Sequence, residues 1–144
     1  KIYSELHLSK NASQFIKILQ ENQIEVGLVS GGFTIIVEKL AKEFGIPLFV
    51  ANQLEISDGH LTGNLIGPVI SREVKEETLV SWANRLEVPL ECTIAVGDGA
   101  NDLKMLKRAG IGIGFCAKEI VKKEIPLQID ERDLTKVLDK INFL

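Results

Sequence analysis

Thr93-Ile94-Ala95-Val96-Gly97-Asp98-Gly99-Ala100-Asn101-Asp102 is the stretch on which the reading of the fold turns. A short apolar run bounded by glycine reads as a buried strand. The glycine-bent loop after it packs two carboxylates and an amide into residues 98–102. Hard oxygen donors of this kind suit Mg²⁺, which takes one or two carboxylates and lets phosphate oxygens complete its shell. Asn101 and Asp102 would also serve as helix caps. Capping alone, however, does not require a carboxylate at the strand tip, where Asp98 stands.

Working outward from this loop, helices and strands alternate. C-terminal to it, the pattern predicts a helix over 101–108 ended by Gly110 and a glycine-rich strand over 111–115. A helix near 117–123, an edge strand over 127–129 and a last helix over 132–141 follow. On the N-terminal side lies a helix over 71–86, with Val74, Leu79, Trp82 and Ala83 available to pack inward. Before it, Asp58-Gly59 between alternating apolar residues predicts a hairpin over 54–65. Residues 47–51 and 26–29 read as strands. A helix over 33–44 separates them, with Gly45 as its C-terminal stop. An amphipathic helix over 10–22, with Ser9 as its cap, opens the pattern.

Short apolar strands alternating with helices define an α/β, Rossmann-like, doubly wound parallel sheet. Residues 1–144 read as one domain of that kind. Ligands of such sheets bind at the carboxyl ends of the strands, and both polar loops, 30–32 and 97–102, fall there. Ser30-Gly31-Gly32 reads as a tight turn from strand to helix, in which a hydroxyl and glycine N–H groups can receive an anion. By itself that signal equally fits a plain turn. Lys75, on the helix between the two loops, is the candidate cation for phosphate charge. By residue type alone it equally fits a solvated helix face.

Composition excludes several classes of function. With 17 Lys and Arg against 20 Asp and Glu, the chain of 144 residues carries a net charge of −3. Nothing in that balance attracts nucleic acid or an anionic membrane, and the basic residues are scattered, with Lys122-Lys123 a short cluster that reads as a solvated helix face. No apolar stretch approaches the ~18–20 residues that cross a bilayer. The two cysteines, Cys92 and Cys116, form no C-x-x-C pair. They read as reduced, buried thiols of a cytoplasmic protein. His7, His60 and the Asp130–Asp133 run read as solvated positions, and Trp82 as core.

Taken together, V-S-G-G-F at 29–33, V-A-N-Q-L-E-I-S-D-G-H-L-T-G-N at 50–64, Lys75 in V-K-E-E-T-L and G-D-G-A-N-D at 97–102 resemble the haloacid-dehalogenase superfamily. Within it, the phosphoserine phosphatase group is the most similar, over roughly residues 8–140. The resemblance implies a magnesium-dependent hydrolase of serine biosynthesis that cleaves a small phosphorylated metabolite, phosphoserine, through an aspartyl-phosphate. It implies that Ser30 and Gly31 bind the transferring phosphoryl group and that Lys75 stabilises its charge. Asp98 would hold Mg²⁺, Asn101 would touch the substrate, and Asp102 would support the metal loop from behind.

One element of the pattern is missing. The family's D-x-D-x-T motif carries the nucleophile and the general acid/base, and the six aspartates here include no D-x-D pair. The helical cap that follows this motif is also missing, and with it the family's first central strand, between the strands at 26–29 and 93–96. The chain begins with Lys1, and its only methionine is Met105. The reading therefore expects an incomplete, C-terminal part of the core domain, inactive by itself. A segment ahead of Lys1, a second polypeptide or a second copy would complete it. The alternative is a non-catalytic phosphate-binding module or regulatory subunit.

Overall fold

The computed structural model describes residues 11–67 and 69–141. The expected cap at Ser9 and His7 lie outside the described residues. The elements run α1 (Ala12–Glu21), β1 (Gly27–Phe33), α2 (Thr34–Phe44), β2 (Leu48–Ser57), β3 (His60–Ile66), α3 (Arg72–Arg85), β4 (Ile94–Gly97), α4 (Leu103–Arg108), β5 (Ile111–Phe115), α5 (Glu119–Glu124), β6 (Leu127–Ile129) and α6 (Lys136–Lys140). Short 3₁₀ turns occupy Leu90–Cys92 and Ala100–Asp102. The chain forms two compact units. Ser13–Ile70 makes the first, and the residues from Ser71 onward, with Asn11 and Ala12, make the second.

In the first unit the strand order is β1-β2-β3, with β1 and β2 parallel and β3 antiparallel to β2. Helix α2 packs on β1 and β2 and buries Val37 and Ala41. It ends at Gly45, whose φ of 65° lets its N–H turn back to the Ala41 and Lys42 carbonyls. Gln20 of α1 donates from Nε2 to the carbonyls of Phe44 and Gly45, at 3.1 and 3.0 Å. The β2–β3 hairpin turns on Asp58 and Gly59, both at positive φ (52° and 78°), as a two-residue primed turn demands.

The second unit is a parallel sheet of order β4-β5-β6. Its core gathers Ala95, Met105, Leu106, Ala117, Val121 and Ile125, with Leu79 of α3 packed against them. Helix α4 lies so close to β5 that a Cβ at Gly112 would run into the Leu106 carbonyl. Glycine at that position is thus a packing requirement.

The α/β class with parallel pairing agrees with the sequence, while several boundaries differ. Among the described residues the strands pair in two groups of three, and the expected hairpin supplies the one antiparallel member, β3. Strand β1 does not end at Val29 but continues through the expected turn to Phe33. The last helix begins at Lys136 and not at 132, because the Asp133 carboxylate accepts from the Thr135 N–H and hydroxyl and from Asn11 Nδ2. Local side-chain bonds of this kind hold a turn in competition with helix. Cys92, expected buried, is exposed in the turn that follows Pro89, and Cys116 is partly buried. Trp82 is half-buried and His60 exposed.

Candidate functional site

In the second unit the loop after β4 is organised by Asp102, which is 5% exposed. Its Oδ1 lies 2.6 Å from the Nζ of Lys75, which is 6% exposed and sits in the first turns of α3. Its Oδ2 accepts the backbone N–H groups of Asp98 at 3.0 Å and Gly99 at 3.2 Å. One carboxylate therefore neutralises a buried ammonium and folds the loop back over itself. A pair so dehydrated persists only because both ions are hydrogen-bonded. Gly97 makes room for it: a Cβ there would lie 2.6 Å from Asp102 Oδ2 and 2.7 Å from its Cβ.

The consequence for Asp98 is geometric. Its N–H is bound by Asp102, and its carbonyl accepts from the Lys118 N–H at 2.9 Å. With its backbone held on both sides, its carboxylate stands exposed at the strand tip. Asn101 is exposed two residues before the start of α4, on the 3₁₀ turn that Asp102 closes. Lys75, which residue type alone would leave in solvent, is buried. An ammonium has three donors, and one of Lys75's goes to Asp102.

The donor set fits a hard cation in part. The Asp98 carboxylate is accessible and anchored, while both Asp102 oxygens are committed to protein donors. Among the described residues no cluster of three His, Cys, Asp or Glu stands ready to hold a metal. Asp98 alone would be this loop's carboxylate ligand, the remainder of the shell coming from water, phosphate or other carboxylates.

Ser30 and Gly31 belong to the first unit. Val29 pairs with Val50 and Phe33 with Asn52, so Ser30, Gly31 and Gly32 stand opposite Ala51 alone, as a bulge. Ser30 Oγ accepts from the Gly32 N–H at 2.9 Å. Neither Gly31 nor Gly32 has positive φ. The use of glycine at 31 is access: nothing lies within 4 Å of where its Cβ would be.

The bulge has a prop that the sequence reading did not single out. Asn52 is 7% exposed and donates from Nδ2 to the Gly31 carbonyl at 2.8 Å. Its Oδ1 accepts from the Ile70 N–H at 2.8 Å, and its own carbonyl accepts from Thr34 Oγ1 at 3.1 Å. The available signal was a polar residue continuing the apolar run Leu48–Ala51. A groove of about 410 Å³ in the second unit is lined by Glu76, Glu77, Val80, Ser81, Asn84 and Arg108, and by none of the site residues.

A parallel α/β sheet bearing a carboxylate loop at a strand's carboxyl end, braced by a buried lysine, is the framework of a known class. The chain belongs to the haloacid dehalogenase-like hydrolase family, whose family model matches residues 1–107. Among curated proteins it is 49% identical to a phosphoserine phosphatase of Streptococcus thermophilus, over 96% of this chain and 65% of that protein. It is 42% identical to a phosphoserine phosphatase of Methanocaldococcus jannaschii, over 92% of this chain and 63% of that one. A solved substrate-bound phosphoserine phosphatase complex superposes with a TM-score of 0.86 at 42% identity, covering 91% of this chain and 62% of its own. The chain thus spans a little under two thirds of the length of these relatives.

Proposed function

We propose that this chain is the phosphate- and metal-handling part of a phosphomonoester hydrolase acting on phosphoserine. The observation that carries the reading is the Lys75–Asp102–Asp98 arrangement: a buried ion pair that anchors a loop and leaves one carboxylate free at the strand tip. Phosphoryl transfer needs little covalent chemistry from the protein beyond positioned charge. Lys75 would offer its remaining N–H donors to phosphoryl oxygens, Ser30 and Gly31 would bind phosphate, and Asn101 would contact the substrate. Asp98 would hold Mg²⁺, with Asp102 supporting the loop behind it. When bound, that ion would supply charge stabilisation for the transferring group.

The reaction also requires a carboxylate nucleophile. Its oxygen attacks phosphorus, the ester oxygen leaves with a proton as serine, and water then cleaves the aspartyl-phosphate to release phosphate. The six aspartates contain no D-x-D pair, so the nucleophile is assigned to a D-x-D-x-T segment beyond these residues, on the same polypeptide, a second one or another copy. Strands β1 and β4 each have a single strand neighbour among the described residues, which supports such a complement.

The test is phosphate release from phosphoserine with magnesium. The chain alone should show none, and a fusion with a D-x-D-x-T segment ahead of residue 1 should show turnover. Asp98→Asn in that fusion should lower the rate by about two orders of magnitude or more. An unimpaired Asp98→Asn fusion would overturn the metal assignment, and turnover by the chain alone would overturn the assigned division of labour. The missing D-x-D pair also favours a second reading, a phosphate-binding module or regulatory subunit. Phosphoserine binding without turnover by the fusion would establish that reading instead.

A further inference from the structure

The geometry points to Asn52 as the positioning residue of the phosphate-binding bulge, an inference that rests on the role proposed for Ser30 and Gly31. An apolar strand residue at this buried position would satisfy β2 equally well. Asn52 instead spends both ends of its amide on backbone: Nδ2 on the Gly31 carbonyl and Oδ1 on the Ile70 N–H, each at 2.8 Å. The two partners leave no ambiguity in its orientation. Flipping the amide would set oxygen against the Gly31 carbonyl and N–H against the Ile70 N–H.

The effect falls on the peptide that joins Gly31 to Gly32. Its carbonyl is held by Asn52 and its N–H by Ser30 Oγ at 2.9 Å, so the peptide plane is fixed at both ends. Both glycines are exposed, and neither is held in place by side-chain packing of its own. Bulged residues have left the ladder bonds that would otherwise set their orientation. Without the Asn52 amide, Gly31 would be free to rotate, and an anion would have to order the loop on binding. That ordering costs affinity.

The variant that isolates this effect is Asn52→Asp. It keeps the shape and the acceptor for Ile70, but sets a carboxylate oxygen against the Gly31 carbonyl. Thr34→Val serves as the comparison, since it removes a bond to the Asn52 carbonyl without touching the bulge. Inorganic phosphate with magnesium is titrated into the ¹⁵N-labelled chain, following the amide resonances of Gly31 and Gly32 and recording thermal unfolding alongside. The expected result is phosphate-dependent shifts at both glycines in the parent chain. Asn52→Asp should weaken binding about tenfold or more, and Thr34→Val should stay within about twofold. If Asn52→Asp does not fold, Asn52→Ala takes its place under the same thresholds. Equal losses in the two variants, or parent-like binding by Asn52→Asp, would overturn the inference while leaving the bulge a phosphate site. No shift at either glycine in the parent would overturn the role of the bulge itself, and the inference with it.

Discussion

The loop at residues 98–102 and the bulge at residues 30–32 are both short, polar and glycine-bearing, yet they are held in opposite ways. The loop is braced from inside by charge. A buried carboxylate faces a buried ammonium at 2.6 Å and gathers two backbone N–H groups, and the adjoining strand-end glycine has no room for a methyl group. The bulge is open on its outer side, and one neutral amide holds it from behind. The difference teaches where sensitivity to substitution should reside. In the loop, stability and site geometry are one property. In the bulge, geometry can be altered at little cost to stability.

The largest effect that would break this comparison is Asp102→Ala. It strands the Lys75 ammonium in a dry setting and releases the N–H groups of Asp98 and Gly99. Removing one partner of a buried pair costs about 3–5 kcal/mol, a large share of the ~5–15 kcal/mol that holds a domain folded. Urea denaturation should show a greatly lowered midpoint or no folded baseline. Lys75→Met should cost less, because Asp102 would keep two N–H partners. A mild Asp102→Ala would mean the loop is not charge-braced.

Next comes a matched pair of glycine substitutions. Gly97→Ala drives a methyl group into Asp102 and should cost about 1–3 kcal/mol as an overpacked site. Gly31→Ala meets nothing and should fall within about 0.5 kcal/mol. Equal midpoints for the two in urea would erase the contrast between a filled site and an open one. The smallest effect concerns reactivity. Cys92 is exposed and Cys116 partly buried, so a maleimide should label Cys92 first, as mass spectrometry of tryptic peptides will show. Preferential labelling of Cys116 would contradict the burial described for the second unit.

Much of this architecture was legible from local signals. Asp58-Gly59 announced a primed turn because few residue pairs tolerate two successive positive φ values. Gly45 announced a helix end for the same steric reason. The carboxylate loop was legible because apolar runs and clustered acids differ so sharply in hydration. Less legible was the path of β1 through Ser30-Gly31-Gly32. Residue types that permit a turn also permit a bulge, and the choice depends on β2, whose residues are remote in sequence. The late start of the last helix depends in part on Asn11, far from Asp133 along the chain, meeting that carboxylate.

Sequence by itself determined the element order, the parallel α/β class and the identities of Ser30, Lys75, Asp98, Asn101 and Asp102 as candidates, because these follow from periodicity, turn chemistry and motif. Only the tertiary structure decided that Lys75 is buried against Asp102, that Asp98 keeps a free carboxylate, and that Asn52 holds the bulge. Burial and pairing are properties of what surrounds a side chain. A lysine reads the same in sequence whether its ammonium meets water or a carboxylate.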